Sequence, residues 1–230
     1  MVKSNKINVY HEIGQKRTFA GALDWPGWCR SGRDEESALQ ALFEYGPRYG
    51  RVLSRSRLGF KAPSSESAFV VVERIKGNAT TDFGAPGLPP VADAKAVSSE
   101  ELVQFEKILK ACLHALEASM QAASGKSLRT GPRGGGRQLE SVIEHVLESN
   151  EGYLKSVGWK FQQSNTGDLD QQLKETQQAI LTALRASARG EIPTKGPRGG
   201  TRWTARYFAR RVAWHILDHA WEIEDRLVSE

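Results

Sequence analysis

Long apolar runs are missing from this 230-residue chain, and none approaches the ~18 residues that a membrane-spanning helix requires. The opening residues, MVKSNKINVY, also lack the apolar core of a secretory signal. Cysteine is nearly absent. Cys29 and Cys112 lie far apart, so they make neither a disulfide framework nor a Cys-x-x-Cys metal site. These absences predict a reduced, cytoplasmic protein with no membrane partner. A strong charge imbalance is lacking too. The net charge is +5, and the arginines are interspersed with acids, which reads as a solvated basic surface and argues against nucleic acid as the partner.

What is present is the makeup of a folded chain. Hydrophobic residues at 39% and charged residues at 26% suit a globular protein of one large or two small domains. Residues 7–13 and 17–23 read as short strands joined tightly near Gly14. Pro26, Gly27 and Gly32 then break the pattern and place Cys29 in a loop. Asp34 is a good N-cap for a helix over 35–48, with Ala38, Leu39, Leu42 and Phe43 as its apolar positions. Residues 68–77, AFVVVERIKG, form a Val-rich strand apolar enough for the middle of a sheet. Residues 1–84 are therefore expected to be a small β-β-α-β module of α+β type.

Gly, Pro, Ala and Ser crowd residues 85–97, which read as a linker. From 98 to 230 the chain is expected to be all-α. Ser98 or Ser99 caps a helix over 99–123, whose core side carries Leu102, Phe105, Ile108, Leu109, Leu113 and Leu116. Further helices are expected over 138–157, 168–189 and 202–228, giving an antiparallel four-helix bundle. TGPRGGGR before the second of these helices is echoed by KGPRGGTR before the fourth. In an up-down-up-down bundle both loops share one end, where Arg133 and Arg198 could hold an anion together with two helix N-termini. The same Gly and Pro also serve simply to end one helix and start the next.

The richest stretch is RYFARRVAWHILDHAWEIEDR, residues 206–226. It has no Gly or Pro and reads as one long helix. At 100° per residue, Phe208, Arg211, Val212, His215, His219, Glu222 and Arg226 fall within about 60° of His215. Trp203, Tyr207, Trp214 and Trp221 gather on a neighbouring strip. Little of the circumference is plainly polar, so the helix is expected to be packed on most sides. Histidines at i, i+4 can direct their rings at one metal ion, but a lone HxxxH commonly binds nothing. The question is then whether a third ligand exists.

His145 is the one histidine of the 138–157 helix. It stands at the edge of the apolar arc through Leu139, Ile143, Val146 and Leu154, with small neighbours Ser141, Ser149 and Gly152. That position suits a ligand at a pocket rim and equally suits a surface histidine. His11, in a strand, and His114, between core positions of the 99–123 helix, read as structural.

His145 followed by ESNEGYL, together with RRVAWHILDHAWEIEDR, resembles the DinB-like family of bacterial four-helix-bundle proteins (the DinB/YfiT-like superfamily) over residues 97–230. The resemblance implies a divalent metal held by His145, His215 and His219. Zinc, nickel and iron all accept such a set. It further implies a hydrolase or a thiol-dependent transferase acting on a small molecule or thiol substrate. The first module resembles the HicB-like antitoxin fold through LDWPGWCRSGRDEESALQAL and the Val-rich strand, with no toxin-binding residue to carry over.

Three histidines leave coordination positions open, as catalytic sites do and closed four-ligand structural sites do not. Glu222 can orient His219 or act as a base, and Arg211 can bind a substrate carboxylate. Each can alternatively serve an internal salt bridge. Pairing of two copies through their helices is the expected assembly. The competing reading is a non-catalytic regulatory protein whose HicB-like module binds a partner. A third reading, nucleic-acid binding through Arg202, Arg206 and Arg210, is opposed by the acids nearby.

Overall fold

The computed structural model describes residues 6–131, 136–164 and 167–227. The chain divides into two compact units, residues 1–95 and 96–230. The first is a small four-stranded sheet with short helices and the second is built from helices, a mixed α+β organisation.

In the first unit, β1 (Ile7–Ile13) pairs antiparallel with β2 (Thr18–Ala22) and parallel with β4 (Phe69–Lys76). A further strand, β3 (Cys29–Gly32), pairs with β2, giving the order β3-β2-β1-β4. This corrects the loop expected at Cys29. The Pro and Gly that read as breakers only fix the turn before it: Gly27 has φ 93°, and Ala22 N–H then donates to Trp28 O. The Val-rich strand is likewise an edge strand rather than a central one, with Val72 half exposed.

Asp34 caps α1 (Glu35–Glu44) in a reciprocal box with Ser37. The expected continuation to 48 is instead a second helix, α2 (Gly46–Leu53), because Pro47 lacks the N–H that α1 would need and suits the first turn of a new helix. Trp28 anchors the core. It is fully buried, donates its indole N–H to Leu42 O at 2.8 Å, stacks on Tyr49 and meets Phe60 edge-on.

The stretch read as a linker is tied to this unit. It follows α3 (Ala79–Phe83), and the fully buried Glu12 carboxylate accepts from Thr81 Oγ1 (2.5 Å), Gly87 N (2.9 Å) and Leu88 N (3.1 Å). Three donors replace water around this buried carboxyl, so the loop is fastened to β1.

Four long helices make the second unit: α4 (Ser99–Ala123), α5 (Leu139–Val157), α6 (Leu169–Ala188) and α7 (Ala205–Arg226). Ser98, Asp168 and Thr204 accept from the first free N–H groups of α4, α6 and α7, and left-handed Gly158 ends α5. α4 buries Phe105, Ile108, Leu109, Cys112, Leu113 and Leu116, the i, i+3, i+4 stripe that drives packing. α7 packs against all three other helices, which explains its apolar circumference.

Helix directions overturn the up-down-up-down expectation. Arg206 at the start of α7 pairs with Glu101 at the start of α4, and Ser119 near the end of α4 meets Glu224 near the end of α7, so these two run parallel. Arg185 near the end of α6 pairs with Glu106 near the start of α4, so α6 opposes α4. Trp203 N–H donates to Ser156 O, which sets α5 against α7. The order is up-down-down-up. Arg129 and Arg137, which flank the first GPRGG loop, lie at the C-terminal end of α7, whereas Arg198 precedes its N-terminus. One helix length, ~33 Å, separates those ends. Among the described residues the flanks of the two loops therefore stand at opposite ends of α7, not at the one end expected. Arg133 itself lies outside the described residues, and Arg198 is exposed in a turn closed by the Lys195–Thr201 pair.

Candidate metal centre

Two helices bring three imidazoles together. His145 comes from the early part of α5, and His215 and His219 come from successive turns of α7. Their ring centroids are 5.2 Å (145–215), 5.0 Å (145–219) and 4.6 Å (215–219) apart. One ligand nitrogen from each lies within 4.8 Å of the others. Nitrogens around a tetrahedral ion stand about 3.4 Å apart, so small ring rotations suffice to close the set. The histidines are not held apart by other bonds. His215 is 5% exposed, and its Nδ1 is buried without a hydrogen-bond partner. An uncharged, unsatisfied imidazole beside two others is costly unless something accepts its lone pair, so the donor set fits a divalent cation.

His219 is the oriented member. Its Nδ1 meets Glu222 Oε2 at 2.9 Å, which leaves Nε2 as the ligand atom. Glu222 Oε1 accepts from Arg226 Nη1 at 2.7 Å. Arg226 is 2% exposed and also donates to Arg129 O (2.8 Å) and Arg137 O (2.7 Å), the two sides of the α4–α5 connection. The hydrogen bond from His219 holds the Glu222 carboxyl down at about 2, against the opposing effect of burial and with help from Arg226. Glu222 therefore carries a negative charge and is committed to two partners. It orients a histidine and is ill suited to take up a proton as a base near neutrality.

Burial and neighbouring positive charge lower the proton affinity of His215 and His145. Burial pushes the proton affinity of His215 well down, and the charges of His219, Arg211 and His145 push it further. Burial, then His219, does the same to His145. The sign for stability follows. As pH falls below the ordinary value of 6.5, the unfolded chain takes up protons that folded His215 refuses, so stability is lost. The metal-free protein should lose thermal stability between about pH 7.5 and 5.5. His215→Leu should flatten that slope in a differential-scanning measurement. The Glu222 contribution is lost only below 4.5, outside that window.

Arg211 makes no salt bridge among the described residues. Its guanidinium lies over the Trp214 ring (4.7 Å) and the Tyr153 ring (5.3 Å). Tyr153 also meets His215 edge-on at 5.5 Å and packs on Trp203 at 5.4 Å. Burial raises the Tyr153 phenol, which is hydrogen-bonded to Ser149. The sequence reading missed Tyr153 and gave Arg226 no role. Tyr153 follows His145 by about two helical turns, a spacing that could have placed it on the histidine side. The backbone carbonyls that hold Arg226 leave no trace in residue type.

The other histidines stand apart from the cluster. His11 is buried and bonded through Nδ1 to Glu35 at 2.7 Å, with Arg74 on the same oxygen. His114, expected between core positions, is instead 67% exposed on α4. Cys29 and Cys112 are both buried and in no disulfide, and burial pushes Cys112 far up, so Cys112 is packing rather than a nucleophile. The arginines considered for nucleic acid are engaged within the protein: Arg206 with Glu101 and Ala96 O, and Arg202 with Pro193 O. Among the described residues no helix is long and apolar enough to cross a membrane.

Compared with protein-family models, curated proteins and solved structures, the chain matches none of them.

Proposed function

We propose that residues 98–230 are a four-helix bundle of DinB-like type in which His145, His215 and His219 hold zinc, nickel or iron, and that the protein is a metal-dependent hydrolase or thiol-dependent transferase. The observation that carries this is the convergence of three imidazoles, one buried and two part-buried, one of them fixed by a carboxylate–arginine pair. A divalent ion there supplies Lewis acidity, which polarises a carbonyl or favours a thiolate. The residues of the chain do the rest. Glu222 and Arg226 fix the tautomer and aim of His219. Tyr153 and Trp214 wall His215 from water on one side. The set comprises three protein ligands, so a substrate atom can approach the remaining positions.

Metal content of tag-free protein, read by mass spectrometry, tests the reading. About one ion per chain is expected, with turnover of ester or thiol-adduct substrates that stops on chelation and returns on reloading. Protein that carries no ion, and takes up none when offered zinc, nickel or iron, overturns it. The surviving alternative is then a partner-binding protein acting through a HicB-like first unit.

A further inference from the structure

We propose that Arg211, seated against Tyr153 and Trp214, forms an oxyanion subsite beside the three histidines and takes the carboxylate of a small, flat organic acid. The role of this subsite in catalysis rests on the metal reading above. Its binding chemistry rests on Arg211 and the rings alone.

The guanidinium is held between two rings. The Trp214 and Tyr153 rings lie 4.7 and 5.3 Å from Cζ, within reach of cation–π attraction. The rings accept no hydrogen bond in the plane of the guanidinium, so its N–H groups are left for recognition. Nη1 is buried and has no hydrogen-bond partner. Other arginines of this unit are used differently. Arg226 has one carboxylate and two carbonyls, and Arg185 grips Glu106 through two bonds of 2.8 Å. Arg211 thus holds no ion pair that would explain a charge in this place.

Its position gives the unsatisfied donor a purpose. Arg211 is one turn before His215 on α7, and the Tyr153 ring touches both the guanidinium and the imidazole. The charge of Arg211 is felt at His215 and at Tyr153. A carboxylate has two coplanar oxygens that match the guanidinium edge. The aromatic rims of Tyr153 and Trp214 beside it offer apolar contact to a flat body. The ligand class is therefore an aromatic or unsaturated carboxylic acid whose other end reaches toward the histidines. A phosphate ester could use the same edge, so the test separates the two.

Benzoate is the probe, titrated into the full chain in metal-free and zinc-loaded forms while tryptophan fluorescence is followed. Saturable binding is expected in both. Arg211→Gln should weaken it by about tenfold or more, with Arg211→Lys intermediate and zinc content unchanged in both variants. Neutral benzamide should not distinguish the variants from wild type. Circular dichroism verifies their folding, and Arg211→Lys, which keeps the charge, guards against misfolding of the glutamine variant. Absence of saturation in the millimolar range, or equal benzoate affinity in Arg211→Gln, overturns the proposal. Inorganic phosphate displacing benzoate at lower concentration overturns the carboxylate assignment. If zinc fails to bind while benzoate binding still depends on Arg211, the metal reading falls and this subsite stands.

Discussion

Replacing His215 with leucine is expected to lower zinc affinity by two to three orders of magnitude while leaving the metal-free protein as stable as wild type, or more stable. The first part follows from ligand count. Protein sites of four ligands bind zinc with an apparent ~10–16 kcal/mol, so each ligand is worth roughly 3–4 kcal/mol, about 10²–10³ in affinity. The second part follows from burial. His215 is 5% exposed, its Nδ1 has no partner, and its neighbours oppose its charge. Leucine of similar volume removes an unsatisfied polar group and adds apolar contact. A histidine kept for structure behaves in the opposite way: its loss costs stability and leaves metal binding untouched. Zinc at a thousandfold excess over its dissociation constant adds about 4 kcal/mol of stability, roughly ten degrees in melting temperature for a unit of this size. At the same zinc concentration that rise should shrink to about 0.4–1.4 kcal/mol, a few degrees at most, in His215→Leu and in His145→Ala. A calorimetric scan of each variant with and without zinc reads both quantities. A variant that still gains ten degrees from zinc would remove that histidine from the ligand set.

Much of the helical unit is legible in the sequence because its ends are written in side chains. Ser98, Asp168 and Thr204 are caps of the usual chemistry, and Gly158 takes the left-handed conformation that stops α5. The HxxxH of α7 places its two rings on one face by periodicity alone. Helix direction was not legible. The connections 158–168 and 189–204 are long enough to return to either end of the unit, so the sequence permits both arrangements. What decides is the pairing of Arg185 with Glu106 and of Arg206 with Glu101, contacts between residues 79 and 105 positions apart. The same applies in the first unit. β3 consists of four residues between the Gly27 turn and the capping Asp34, and only its pairing with β2 makes it a strand. His114 fell the wrong way because it sits beside the apolar stripe of α4, where one residue of rotation decides burial. At the candidate metal centre, residue type pointed to the three clustered histidines, whereas the support of His219 runs through two backbone carbonyls that any sequence could supply.

That support carries the second large effect. Arg226→Met is expected to cost the protein about 3 kcal/mol and to weaken zinc binding 10- to 100-fold. The stability figure comes from the partners left behind. Arg226 is 2% exposed and neutralises Glu222, and it also satisfies the carbonyls of Arg129 and Arg137. Breaking a buried pair costs roughly 3–5 kcal/mol, and because Glu222 keeps 35% of its side-chain surface in water, the lower end applies. The affinity figure comes from His219. Without Arg226, Glu222 is free to swing toward solvent, and His219 loses the acceptor that fixes its tautomer with Nε2 toward the cluster. A lysine at 226 restores the charge but cannot reach a carboxylate and two carbonyls from one planar group, so Arg226→Lys should recover part of the zinc affinity and little of the stability. Glu222→Gln separates the terms, because a glutamine carbonyl still accepts from Nδ1 while the ion pair is gone. The double variant settles whether the three act as a chain. If Arg226 works through Glu222, the zinc penalty in Arg226→Met/Glu222→Gln is well below the sum of the single penalties. Additive penalties would mean that Arg226 acts on the α4–α5 connection alone and that His219 is positioned without it.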